Sequence, residues 1–281
     1  MTRITCLQLS PAVADLDTNL ALTSAAIREA VAAGARVVVV PELATSGYML
    51  SSVEEARSVA IAPAHPVFAE WAAAVADVDG VAIGGFAELG EDGLVYNSAA
   101  VVDSSGVRAV YRKVHLWDRE KLIFTPGSVA PPVVDTPVGK VGVLICFDLE
   151  FPEFPRSLAL RGAELIAAPT NWPRESVPAG ERVPEVTVAM ATAYSNHVAI
   201  ACCDRAGSER GQDWNEASCI IDSHGWVIAT TDASGTAVAE LDLALSRDKT
   251  MSDLVDVFDD RRPELYGALT ASTPATLHPT R

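Results

Sequence analysis

The 281-residue sequence predicts an α/β fold of two packed, mixed β-sheets with helices on the outside. Three observations carry that expectation. Strand-length apolar runs alternate with helix-length amphipathic ones over the first two thirds of the chain. Short strands punctuated by the turn signals SSG, SHG and ASG imply antiparallel hairpins as well as parallel pairs. No stretch is rich enough in Gly, Pro or Ser to divide the chain, so one domain holds both sheets.

In chain order, 3–9 reads as a strand and 17–33 as a helix opened by Asp17 or Thr18 and ended by Gly34. The valine run at 36–40 is a strand, 66–77 a helix and 81–86 a strand. Strands near 95–102 and 107–112 flank the SSG turn. The run 138–145 leads into Cys146, and a helix from Pro152 to Arg161, a strand at 164–168, a helix at 183–195 and a strand at 197–203 follow. Segments 217–222, 226–230 and 236–241 predict a meander, and the chain beyond about 245 is polar and marked by proline.

Composition narrows the function. Apolar residues make up 49% and charged residues 21%, which supplies a core and argues against global disorder. The net charge of −16 disfavours nucleic acid and anionic membrane surfaces as partners. The N-terminus lacks a basic-then-apolar leader and no apolar run approaches the roughly 20 residues of a membrane span, so a cytoplasmic protein is expected. Five irregularly spaced cysteines fit reduced thiols better than a disulfide framework. The five histidines show no metal-ligand spacing with Cys or carboxylates, so no metal site is expected. Gly84-Gly85 is not a phosphate loop, since no Gly-Lys-Ser/Thr follows.

Chemistry concentrates at three strand ends. In VGVLICFDLEFPE an apolar run meets Cys146 just before a turn, which is how a fold presents a nucleophile, although a free thiol is often an inert core residue. Glu42 follows four valines, where burial would raise its pKa and improve it as a base; otherwise it is a strand-end acid reaching water. Lys113 ends VRAVYRK and is either a solvated charge or, in a closed site, a fixed positive charge for an oxyanion. Together they suggest covalent acyl chemistry: Glu42 takes the thiol proton, Cys146 attacks, and Lys113 with the Phe147 N–H stabilises the oxyanion. No Gly-x-Ser-x-Gly competes.

The segments PELATSGY, YRKVHLWDREKLIFTPG, ICFDLEFPEFPRSLALRGAELIAAPTNWP and DRRPELY, in that order from 41 to 266, strongly resemble the nitrilase (carbon–nitrogen hydrolase) superfamily, in its amidase-like branch. The resemblance implies an α-β-β-α sandwich that dimerises into four layers, a hydrolase domain over 1–266 and a loose tail over 267–281. It makes Glu42 the general base, Lys113 the oxyanion lysine, Cys146 the nucleophile and Glu120 a second carboxylate that positions substrate or lysine; alternatively Glu120 is an exposed partner of Arg119 or Lys121. It places Tyr48, Trp117, Phe147, Asn171 and Trp172 at the pocket wall and implies no metal or organic cofactor. Two positions depart from the family pattern: Ser195 stands before Asn196 where Glu is common, and Asp204 before Arg205 where Asn is common. The segment SERGQDWNEA lies where substrate-recognition loops occur.

The function expected is hydrolysis of small, aliphatic amides to a carboxylic acid and ammonia through a thioester, by a homodimer. N-carbamoyl amine hydrolysis and true nitrilase activity are alternatives on the same site, with Arg174, Arg205 or Arg210 as clamps for a substrate carboxylate. A non-catalytic or redox-sensing thiol protein is the alternative from another class, and the presence of all three catalytic residue types argues against it.

Overall fold

Residues 1–271 are described in the computed structural model of the chain, and the last ten residues of the expected tail, 272–281, lie outside them. The strands are β1 (Thr2–Leu7), β2 (Val37–Val39), β3 (Val81–Leu89), β4 (Val95–Asp103), β5 (Gly106–Arg112), β6 (Val133–Thr136) and β7 (Gly139–Val143), then β8 (Leu165–Pro169) and β9 (Ala199–Cys203). They continue as β10 (Ser208–Glu209), β11 (Gln212–Asp213), β12 (Cys219–Ile221), β13 (Val227–Thr230) and β14 (Thr236–Leu241). Helices are α1 (Leu16–Ala32), α2 (Val53–Ser58), α3 (Pro66–Ala76), α4 (Glu153–Leu160) and α5 (Pro184–Asn196).

Two six-stranded mixed sheets result, in the orders β14-β1-β2-β3-β4-β5 and β13-β12-β9-β8-β7-β6. Each has three parallel strands in its middle, β1-β2-β3 and β7-β8-β9, with antiparallel strands outside them. The parallel strands β2, β8 and β9 are buried along their whole length, which explains why they read as continuous apolar runs rather than alternating ones. Along the valine run, Val37 and Val39 pack between the sheets, whereas Val38 and Val40 pack with Ile27 of α1 and Phe68, Trp71 and Val75 of α3. On the second sheet, Leu158 of α4 and Val186, Ala189 and Ala193 of α5 cover the outer face. This is the expected α-β-β-α layering.

Several boundaries differ from the sequence reading. Helix α1 opens at Leu16, because Asp15 rather than Asp17 or Thr18 caps it by accepting from the Thr18 N–H. His197 takes a left-handed φ of 44° at the end of α5, so β9 starts at Ala199. The expected meander breaks: β12 and β13 pair in the second sheet, but β14 crosses to the first and pairs along all of β1, from Thr2 opposite Leu241 to Leu7 opposite Thr236. Short α2 and the edge strand β6 went unread, having too few residues for a periodic signal.

The described residues separate into one unit of Met1–Asp248, which holds both sheets, and a second that begins at Lys249. In the second, Thr250–Ser252 pairs antiparallel with Val255–Asp256. Among the described residues no helix is long and apolar enough to cross a membrane, and none of the five cysteines is in a disulfide.

Candidate active site

Glu42 sits three residues beyond the end of β2, where the chain turns through Leu43 with a φ of +50°. The turn fits because β3 carries Gly85 beneath it: a Cβ there would lie 2.3 Å from the Leu43 nitrogen and 2.5 Å from the Glu42 Cα. The carboxylate therefore points inward and is about 1% exposed, not solvated as a strand-end acid would be. Its Oε1 accepts from Lys113 Nζ at 2.7 Å and from Asn97 Nδ2 at 2.7 Å, while Oε2 has no hydrogen-bond partner. Burial pushes its pKa up to about 7; Lys113 pulls it down, Glu120 adds to the rise, and the hydrogen bonds from Lys113 and Asn97 oppose it.

Lys113 continues past the end of β5, fixed by its own N–H on the Asn97 carbonyl at 2.8 Å and by its carbonyl under the Gly127 N–H at 2.8 Å. The side chain is completely buried, and Nζ donates to Glu42 Oε1 and to Glu120 Oε1 at 2.7 and 2.8 Å. Burial favours the neutral amine, but the charges of Glu120 and Glu42 outweigh it and raise the pKa, so the side chain is an ammonium. An ammonium has three N–H donors. Two meet carboxylates, which leaves the third.

Glu120 lies in the 3₁₀ turn Asp118–Leu122 and is about 4% exposed, which removes the reading of a solvated partner for Arg119 or Lys121. Its Oε2 accepts the Trp117 N–H at 3.0 Å, and its Oε1 accepts the Tyr48 hydroxyl at 2.6 Å besides Lys113.

Cys146 follows β7 with a φ of +48°, a left-handed conformation that costs a non-glycine residue about 1–2 kcal/mol. Such strain survives only where the surroundings over-determine it. Here they do so through Asp148, which is completely buried and accepts four hydrogen bonds: Ile145 N–H at 3.1 Å, His115 N–H at 3.0 Å, His115 Nδ1 at 2.7 Å and the Tyr111 hydroxyl at 2.7 Å. The cysteine turn is thereby tied to the residues on both sides of Lys113. Burial and then the charge of Glu42 raise the thiol pKa, with Lys113 working against them. The thiol is thereby held in its neutral form.

Of the expected wall residues, Tyr48 and Trp117 line a small cavity of about 100 Å³ together with Glu120, Gln212 and Trp214. Phe147 packs edge-on against Trp117 at 4.8 Å. Asn171 and Trp172 are 1% and 2% exposed and are not among the lining residues. Asn171 instead donates to the Glu42 carbonyl at 2.8 Å and offers its own carbonyl to Cys146 Sγ at 3.9 Å. Trp172 packs into the core between the sheets, its N–H held at 3.0 Å by Asp204. Three roomier depressions, of about 390, 360 and 850 Å³, lie along β5, between β1 and α1, and beside the turn from β3 to β4; neither they nor the small cavity are lined by Glu42, Lys113 or Cys146, and the small cavity reaches that group through Glu120.

The arginines offered as clamps have other duties. Arg205 is buried in an ion pair with Glu209, and Arg210 pairs with Glu55, leaving Arg174, whose Nε donates to the Trp214 carbonyl at 3.0 Å. Asp204 accepts the N–H groups of Trp172, Arg205 and Ala217, at 2.9–3.0 Å, and burial raises its pKa to about 6 against those three bonds. Asn196 donates to the Thr192 carbonyl within α5. Sequence reasoning missed Asn97, Asp148, Glu209 and Trp214. The first two had a signal, a polar residue inside an apolar strand and an acid inside ICFDLEF; the other two lie in SERGQDWNEA, which the resemblance marks as a recognition segment without singling out either residue.

A model of the carbon–nitrogen hydrolase family matches residues 3–249. The chain is 38% identical to a nitrilase of Pyrococcus abyssi over 95% of its length and 99% of the relative's. It is 32% identical to the N-carbamoylputrescine amidase of Arabidopsis thaliana over 91% of both chains. Among solved structures, an amidase from Nesterenkonia superposes with a TM-score of 0.75 at 26% identity, covering 95% of each chain. A glutamate-to-glutamine mutant of that amidase carries the acetamide moiety of fluoroacetamide on its active-site cysteine, and another crystal of such a mutant carries acrylamide there.

Proposed function

The chain belongs to the carbon–nitrogen hydrolase family, and from that premise we propose that it hydrolyses small aliphatic amides to a carboxylic acid and ammonia through a thioester on Cys146. One observation carries the reading: Glu42 spends Oε1 on Lys113 and keeps Oε2 without a partner, with its charge felt at the Cys146 thiol.

Glu42 takes the thiol proton, and the thiolate adds to the amide carbon. The carbonyl oxygen, now an oxyanion, meets the remaining Lys113 donor and the Phe147 N–H at the start of the turn. Glu42 returns the proton to the amide nitrogen, the C–N bond breaks, and ammonia leaves. Water, deprotonated by the same carboxylate, then cleaves the thioester and frees the acid and the thiol. The acetamide and acrylamide adducts on the Nesterenkonia amidase support a short substrate. The names of the other relatives support a second reading, hydrolysis of an N-carbamoyl amine or a nitrile by the same three residues. We take the protein as a cytoplasmic homodimer acting on small molecules, without nucleic acid or membrane partners, in line with a net charge of −16.

Ammonia release from short amides, matched nitriles and N-carbamoyl compounds, with Cys146→Ala alongside, tests this. Release from amides that vanishes in Cys146→Ala is the expected result. Release confined to nitriles or carbamoyl compounds keeps the residues and overturns the substrate class.

A further inference from the structure

We propose that Glu209, on the hairpin formed by β10 and β11, is a positioning residue for hydrolysis: it holds the Tyr48 loop so that the Tyr48 hydroxyl stays on Glu120 and Glu120 stays on Lys113. The inference rests on the C–N hydrolase reading of the site and assigns a role to the SERGQDWNEA segment.

Glu209 Oε2 accepts two consecutive backbone N–H groups, Tyr48 at 3.0 Å and Met49 at 2.9 Å. The loop passes close beneath it: Gly47 has a φ of +73°, and a Cβ there would come within 2.7 Å of Glu209 Oε1. A carboxylate only 4% exposed needs a counter-ion, and Arg205, 1% exposed, supplies it. Arg205 is itself fixed, by the Pro11 carbonyl at 3.0 Å and by lying 5.1 Å over the Trp214 ring. Trp214 meets Tyr48 edge-on at 5.2 Å, and Arg210 grips the Met49 carbonyl at 2.9 Å. Backbone and ring of Tyr48 are thus both set from the 205–214 segment, and its hydroxyl ends 2.6 Å from the oxygen of Glu120 that receives Lys113. A six-residue hairpin is too small to be stable alone, so these bonds and its packing define its place.

Glu209 touches neither Lys113 nor Cys146 and acts only through Tyr48. A double-mutant cycle separates that from a general loss of stability. Wild type, Tyr48→Phe, Glu209→Gln and the double variant are compared in kcat and KM, and in the rate at which iodoacetamide alkylates Cys146, which requires no known substrate. Each single variant is expected to lower kcat and the alkylation rate by about tenfold, the effect of losing one hydrogen bond to a charged group. The double variant should then fall no more than about twofold below Tyr48→Phe. Losses that multiply to about 100-fold overturn the assignment. If Glu209→Gln does not fold with Arg205 left unpaired, the replacement Arg205→Met/Glu209→Leu removes both charges and enters the same cycle. Wild-type activity in that variant also overturns it. A wild type that hydrolyses no C–N substrate sinks the underlying reading instead, and the alkylation cycle still decides the role of Glu209.

Discussion

Lys113 Nζ donates to Glu42 Oε1 at 2.7 Å, joining two completely buried side chains 71 residues apart in sequence. The same nitrogen serves Glu120 at 2.8 Å, so two carboxylates share one ammonium. A site arranged in this way carries surplus negative charge whenever both acids are ionised. That surplus is part of why Glu42 holds its proton up to about 7, with burial the larger cause.

Removing the ammonium leaves two buried carboxylates without a counter-charge. Lys113→Met should lower kcat by at least the roughly 100-fold that follows loss of one oxyanion donor. It should also lower stability near pH 8 by about 3–5 kcal/mol, the usual cost of breaking a buried pair. Without Lys113 the folded-state pKa of Glu42 rises further above its unfolded value, so the folded state binds more protons and the deficit shrinks as pH falls toward 5. Denaturant melts at the two pH values measure this, and an equal deficit at both contradicts it.

Glu42 must be ionised to accept the thiol proton, and burial has raised its pKa to about 7. The kcat/KM profile should therefore rise through pH 7 as one proton is lost, then level, and a Glu42→Gln variant should be inactive throughout. Because the folded pKa lies above the unfolded one, near 4.3, this group's contribution to stability declines as pH climbs from about 4.5 to 7. Glu42→Gln should lose that decline. An acid limb near 4 would mean the carboxylate is solvated before substrate binds.

The buried Glu42–Lys113–Cys146 group was legible because VVVVPE and VGVLIC each bring a reactive residue to the end of an apolar run, and VRAVYRK ends in a lysine where a strand stops. Sheet membership was less legible. Segment 236–241 follows β13 after a tight turn, yet pairs with β1 from the opposite end of the unit's sequence. Local pattern reports that a strand exists, not which edge takes it. Pocket walls were hardest, because an aromatic such as Trp172 reads the same whether it packs in the core or lines a cavity. Glu209 and Trp214 escaped because a hairpin with two-residue strands has no periodicity to read.

Gly85 offers a test of how the base is held. A methyl group there would stand 2.3 Å from the Leu43 nitrogen and 2.5 Å from the Glu42 Cα, against backbone that β2 and β3 pairing prevents from yielding. Gly85→Ala should cost about 1–3 kcal/mol as an overpacked core change and displace the carboxylate, lowering kcat/KM. A variant with wild-type melting and wild-type rate would show that the two strands can slide apart.

Asp148 makes the most specific prediction, because its four bonds come from two backbone N–H groups, a ring nitrogen and a hydroxyl. Asp148→Asn keeps the shape but turns one oxygen into a donor. The Tyr111 hydroxyl and His115 Nδ1 can each reverse roles and accept. The N–H groups of Ile145 and His115 cannot, and whichever faces the new amide is left without a partner. An unmet buried donor costs about 1–3 kcal/mol, which for a chain of this size lowers Tm by several degrees. Ile145 precedes the strained Cys146, so that loss reaches the nucleophile, and kcat should fall by at least tenfold while KM changes little. A lowered Tm with an unchanged kcat would assign Asp148 to folding alone, and leave the left-handed turn of Cys146 to be held by the strand that enters it.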